Sequence, residues 1–193
     1  MADNSDWRRL LQLSQSAAIA RRYFVTNGFD GTLAMLGLIM GFRTLDNAAV
    51  EVALVACLGT AVALGISGIS SAYISEAAER RRELGKLRAA MLDSLEDSAH
   101  EQAARWVPIM IALVNGLAPF ILAQLVMLPL WLEWMGLNLP LSPFDLAITI
   151  AFLLIFLFGI FLGRMSGHFW LWAGLRTLGI GLVTALIIWT LSP

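Results

Sequence analysis

Five blocks of this chain, at 23–42, 50–74, 106–132, 144–162 and 168–191, each approach the roughly 20 apolar residues that a helix needs to cross a bilayer. No other feature limits the fold as hard, because backbone N–H and C=O groups in hydrocarbon must find partners within the segment itself. The rest of the composition agrees: 59% of the 193 residues are hydrophobic and 14% are charged, where a soluble domain carries about a quarter charged residues. The length suggests one domain or at most two. The expected fold is an all-α membrane protein with five transmembrane helices. Its segments are an amphipathic N-terminal stretch over 1–22, two spans over 23–75, a cytoplasmic amphipathic helical connection over 76–105, and three spans over 106–193. A single cysteine, Cys57, excludes both a disulfide framework and a thiolate metal site.

The basic residues orient these spans. Arg8, Arg9, Arg21 and Arg22 precede the first block, and Arg80, Arg81, Arg82, Lys86, Arg88 and Arg105 lie between the second and third. Arg164 precedes the fifth block and Arg176 lies near its start, while Arg43 stands by itself on the other side. The positive-inside rule therefore places the N-terminus in the cytoplasm and the C-terminus outside. Trp106, Trp131, Trp134, Trp170 and Trp189 fall near block ends, as interfacial anchors do. The opening MADNSDWRRLLQLSQSAAIARR lacks the continuous apolar core of a secretory signal. Trp7, Leu10, Leu11 and Ala18 opposite Arg8, Arg9 and Gln15 predict a short surface helix there, the alternative being a polar tail.

One residue breaks the pattern. The first block, YFVTNGFDGTLAMLGLIMGF, holds Asp30 where an ionised carboxylate costs several kcal/mol in hydrocarbon. Helical spacing gathers Tyr23, Thr26, Asn27, Asp30 and Ala34 on one face. In the second block Ser67, Ser71, Ser75 and Glu79 recur every four residues. Two such stripes read as walls of a hydrophilic path. They read equally as a carboxylate paired with an arginine, beside serines that let helices approach closely. Gly37-Leu-Ile-Met-Gly41 and Gly159-Ile-Phe-Leu-Gly163 are G-x-x-x-G patterns, which indicate close helix contacts within or between chains.

The connection EAAERRRELGKLRAAMLDSLEDSAHEQAAR carries an apolar stripe of Leu84, Leu87, Met91 and Leu95, with Gly85 as a weak point. Its acidic residues fall into two groups, Glu76, Glu79 and Glu83, then Asp93, Glu96, Asp97 and Glu101 with His100 among them. Carboxylate with imidazole suits a divalent transition ion, so Glu79, Glu83, Glu96 and His100 join Asp30 as candidate metal ligands. A solvated face with Glu–Arg pairs at helical spacing explains the same residues.

Together these stretches resemble the vacuolar iron transporter family. GISGISSAYISEAAERRREL resembles that family's small-residue, Tyr-x-Ser, charged-run signature, and Asp30-Gly31 its Asp-Gly pair. NGLAPFILAQLVMLPLWL is similar to its third span, and GIFLGRMSGHFWLWAGLRTLGIGLVTALI to its fourth and fifth. The likeness runs from Arg21 onward, with a cytoplasmic insertion of about thirty residues as in the family's shorter, prokaryotic-type members. It implies a five-span homodimer that exports Fe²⁺ or Mn²⁺ from the cytosol in exchange for protons, with the path at the dimer interface. Asp30, Asn27, Thr26, Ser67, Ser71 and Tyr73 would then line the path, and the metal would be cargo rather than a tightly bound cofactor. Two positions depart from the family: Gly68 and Ala72 stand, by alignment through Tyr73 and Ser75, where a methionine and a glutamate are usual. Phe29 also replaces the usual asparagine before the Asp-Gly pair.

Three classes of function follow. The first is a proton-coupled metal exporter, and the second a non-transporting scaffold or regulatory subunit on the same five-helix fold. The third, an intramembrane enzyme, finds no nucleophile–base arrangement beside His100 and His168. No nucleotide motif or nucleic-acid patch is visible, so the expected partners are the lipid bilayer, divalent metal ions and a second copy of the chain. The compact loops fit a multi-pass protein of a prokaryotic inner membrane.

Overall fold

A computed structural model describes residues 16–45, 48–91, 99–167 and 169–192. Their regular structure is all helical: α1 (Ser16–Arg43), α2 (Val50–Met91), α3 (Ala99–Trp134), α4 (Pro143–Met165) and α5 (Trp170–Leu191). Within this set four stretches, Val50–Ala90, Glu101–Trp134, Pro143–Met165 and Trp170–Leu191, are long and apolar enough to cross a membrane. The chain is thus an integral membrane protein of the all-α class. The first expected span is not in that group. α1 has 28 residues, but Thr26, Asn27 and Asp30 dilute its apolar run.

α2 is one uninterrupted helix of 42 residues. At 1.5 Å per residue it is about 60 Å long, twice the roughly 30 Å of bilayer hydrocarbon, so its charged end extends beyond any span. The helix passes Gly85 without a break, and Leu84 and Leu87 on it are half-buried. The expected connection over 76–105 is therefore carried by α2 as far as Met91 and resumed by α3 at Ala99; 92–98, with Leu95, lie outside the described residues. The expected surface helix with Trp7, Leu10 and Leu11 also lies outside them.

The contacts divide the chain into two compact units, 1–24 with 65–117, and 25–64 with 118–193. In the second unit Met35, Leu36 and Ile39 of α1 pack with Ala53, Leu54 and Cys57 of α2, Val126, Met127 and Leu130 of α3, and Ala147, Ala151 and Ile155 of α4. Lipid chains are as apolar as these side chains, so such packing stabilises through close van der Waals contact rather than exclusion of water. Small residues set how close it comes. A Cβ on Gly31 would stand 2.7 Å from Pro119 Cβ and 2.8 Å from its Cα. α4 and α5 meet the same way: a Cβ on Gly159 would overlap the Thr177 hydroxyl and stand 2.7 Å from Gly174 Cα, and one on Gly163 would stand 2.6 Å from Ala173 Cβ. The Thr177 hydroxyl donates across the pair to the Ile155 carbonyl at 3.1 Å.

Arg43, the basic residue that departs from the charge asymmetry, is compensated locally. Its Nε donates to Asp145 Oδ1 at 2.8 Å, joining the end of α1 to the first turn of α4. The hydrogen bond and then the charge of Asp145 hold the guanidinium above its ordinary pKa. Both side chains are half-exposed, which makes the pair a local neutraliser of the Arg43 charge more than a source of stability.

In the first unit Ala103, Val107 and Ile111 of α3 pack against Ile19, Ala20 and Tyr23 of α1. α2 and α3 nearly touch backbones. A Cβ on Gly116 would overlap the Gly65 carbonyl and the Ile69 side chain, and one on Gly68 would stand 3.0 Å from Gly116 Cα. Asn115, 3% exposed, donates its amide to the Gly68 carbonyl at 2.7 Å across this contact.

Candidate functional site

The second unit holds Asp30, and local packing decides where its carboxylate points. Gly28 and Gly31 are buried, Gly28 facing Leu122 and Phe158 and Gly31 facing Pro119. Thr32 is 0% exposed and folds its hydroxyl back on the Gly28 carbonyl at 2.8 Å. These three residues fix the packed side of α1, and Asp30 falls off it. Asp30 is exposed, as is Thr26 one turn before it, and Asn27 is half-buried beside them. No ion pair among the described residues involves Asp30. Of the two readings of this carboxylate, locking helices through an arginine finds no partner among the described residues.

The glycine patterns separate in the same unit. Gly159 and Gly163 are consumed by the α4–α5 contact, whereas a Cβ on Gly41 would meet nothing within 4 Å and one on Gly37 only Ile188 Cδ1 at 3.4 Å. α1 thus presents an exposed or half-exposed strip of Thr26, Asp30, Ala34, Gly37 and Gly41, polar at one end and small throughout.

Ser67, Ser71 and Tyr73 belong to the first unit and are exposed on α2. The serine hydroxyls are partly spent on their own helix: Ser71 donates to the Gly68 carbonyl at 3.3 Å and Ser75 to the Ser71 carbonyl at 2.7 Å. The two positions that depart from the family are packing positions, with Ala72 2% exposed and Gly68 pressed against the α3 backbone. Asn115, which ties Gly68 to α3, escaped the sequence reading. Its signal was a lone amide beside Gly116 in an apolar block.

Three acidic residues of the connection, Glu76, Glu83 and Glu101, are engaged as ordinary helix-surface groups. Arg80 pairs with Glu83 at 2.9 Å one turn on, and Arg88 with Glu101 at 3.3 Å from α2 to α3. The Tyr23 hydroxyl donates to Glu76 at 3.3 Å. Glu79 is exposed on α2. Glu96 and the His100 side chain lie outside the described residues, and no group of three or more His, Cys, Asp or Glu able to hold a metal ion comes together among the rest. Replacing Glu79, Glu83, Glu96 and His100 together with alanine separates the two accounts of this face. A metal-collecting face requires a clear loss of Fe²⁺ or Mn²⁺ binding by the folded protein in calorimetry. Unchanged affinity leaves a solvated acidic surface, which the Arg80–Glu83 pair already illustrates.

No family model matches the chain, and no solved structure matches it. Among curated proteins it is similar to the "Uncharacterized protein MJ0645" of Methanocaldococcus jannaschii, 28% identical over 169 residues that cover 86% of this chain and 85% of that protein.

Proposed function

We propose that this protein moves Fe²⁺ or Mn²⁺ out of the cytosol in exchange for protons, as a five-span homodimer of the vacuolar iron transporter type in a prokaryotic inner membrane. The observation that carries the reading is the exposed carboxylate of Asp30 on α1, directly before the apolar run 33–42. A carboxylate facing hydrocarbon costs about 3 kcal/mol on insertion scales, and a helix escapes that cost by covering the group with protein or water. Among the described residues Asp30 stays exposed, and the small residues Ala34, Gly37 and Gly41 continue its strip. A second α1 laid along that strip covers both carboxylates and places two of them on one polar path. Thr26 and Asn27 add the oxygen ligands that hard or borderline divalent ions accept. A carboxylate that binds either a metal ion or a proton supplies exchange by competition.

On this reading α1 completes the five spans, with the N-terminus inside and the C-terminus outside. Cysteines introduced singly at Ala34, Gly37 and Gly41 should cross-link between copies in native membranes. Cross-links confined to α4 or α5 would move the interface elsewhere. Metal flux into liposomes holding the purified chain, with and without a pH gradient, tests the activity itself.

A second reading has its own observation. Gly68 and Ala72 offer no metal-ligating group, and Gly68 instead brings α2 into backbone contact with α3 while Ala72 is buried. A five-helix membrane scaffold or regulatory subunit without transport needs no more than that. A chain that dimerises through α1 yet moves no metal in the liposome experiment is this scaffold.

A further inference from the structure

We propose that the trough between α4 and α5 is a binding site for an anionic phospholipid, held by Arg176. The trough has a volume of about 390 Å³ and is lined by Leu162 and Gly163 of α4 and by Trp172, Arg176 and Ile180 of α5. That volume falls at the lower end of ordinary ligand pockets.

The charge selects the occupant. Arg176 is the seventh residue of α5, about 9 Å along the helix axis from its start. It is exposed and makes no ion pair among the described residues. Trp170 and Trp172, exposed near the same helix start, mark a membrane interface. A guanidinium at that depth is stabilised by an anion, and its planar fork matches the oxygens of a phosphate diester. The apolar trough beside it accepts the first carbons of an acyl chain. Phosphatidylcholine offers the same phosphate with its own cation attached, whereas phosphatidylglycerol offers it with net charge. On the topology proposed above, this end of the hairpin faces the cytoplasmic leaflet, where anionic lipids attract basic residues.

The test uses the full chain in detergent micelles, titrated with palmitoyl-oleoyl phosphatidylglycerol or the matching phosphatidylcholine, with bound lipid counted by native mass spectrometry. The unaltered chain should retain phosphatidylglycerol about fivefold better than phosphatidylcholine, the worth of one arginine beside an anionic lipid. Arg176→Gln should abolish the preference and Arg176→Lys should keep part of it, with lipid-free thermal stability unchanged in both. Ile180→Trp, which fills the trough and leaves the charge, should lower retention of both lipids. Millimolar inorganic phosphate should leave bound phosphatidylglycerol in place. Equal retention of the two lipids by the unaltered chain overturns the proposal. So does an equal loss in Arg164→Gln, whose arginine lies outside the trough, since surface charge would then suffice. Displacement by phosphate alone would make the site one for free anions.

Discussion

Asp30→Asn should assemble as the unaltered chain does and carry no Fe²⁺ or Mn²⁺ across liposomes above the protein-free leak. Asparagine keeps the size and hydrogen-bonding capacity of the side chain and removes its charge, so packing and ion binding are separated in one substitution. Gly28, Thr32 and Gly31, which set the packed side of α1, are untouched. Removing a carboxylate from the span lowers the cost of inserting it by about 2 kcal/mol or more, so the variant should be at least as stable as the parent. Flux falls because two neutral amides neither attract a divalent cation nor exchange a proton for it. Thr26→Val, one turn away on the same exposed face, should reduce flux severalfold without abolishing it. It removes a ligand oxygen and leaves the charge. Full flux in Asp30→Asn would end the path reading. Loss of the cross-linked dimer in the same variant would instead make Asp30 an assembly residue.

The sequence made the spans legible because hydropathy is a local property. The blocks at 144–162 and 168–191 became Pro143–Met165 and Trp170–Leu191, and the block at 50–74 begins where α2 begins. The first block was harder, since the residues that give α1 its interest also lower its hydropathy. Which glycine pattern works inside the chain was not legible at all. Gly37–Gly41 and Gly159–Gly163 have the same spacing, and only the closeness of the partner distinguishes them: the α5 backbone presses on Gly159 and Gly163, whereas Gly37 meets only the tip of Ile188 and nothing within 4 Å faces Gly41. Metal ligation was illegible for a similar reason. Spacing put Glu79 and Glu83 on a common surface, but the nearest cation in the fold, Arg80, took Glu83. Gly68 and Ala72 looked in the sequence like losses from a binding site. In the fold Ala72 is buried and Gly68 serves a helix contact, with the Asn115 amide bonded to the carbonyl that Gly68 brings within reach.

That contact should tolerate no added side chain. A methyl group at Gly116 would overlap the Gly65 carbonyl and the Ile69 side chain, and would lie 2.9 Å from the Ile69 nitrogen. Two of these three atoms belong to the α2 backbone, so α2 and α3 must separate to admit it. Separation stretches the 2.7 Å bond from Asn115 to Gly68 and leaves a buried amide short of a partner. Alanine itself favours a helix over glycine by about 0.5–1 kcal/mol, which opposes the loss. Overpacking costs about 1–3 kcal/mol and an unmet buried polar group about 1–3 more, so the net effect is destabilising. Gly116→Ala should lower the thermal midpoint of the detergent-purified protein by several degrees, and Gly116→Val should leave little monodisperse protein on size-exclusion chromatography. Gly59→Ala supplies the opposite sign. A Cβ there meets nothing within 4 Å, so only the helix preference remains and the midpoint should hold or rise. A Gly116→Ala protein as stable as the parent would mean that α2 and α3 do not approach through Gly65, Gly68 and Gly116. It would also remove the packing explanation for Gly68.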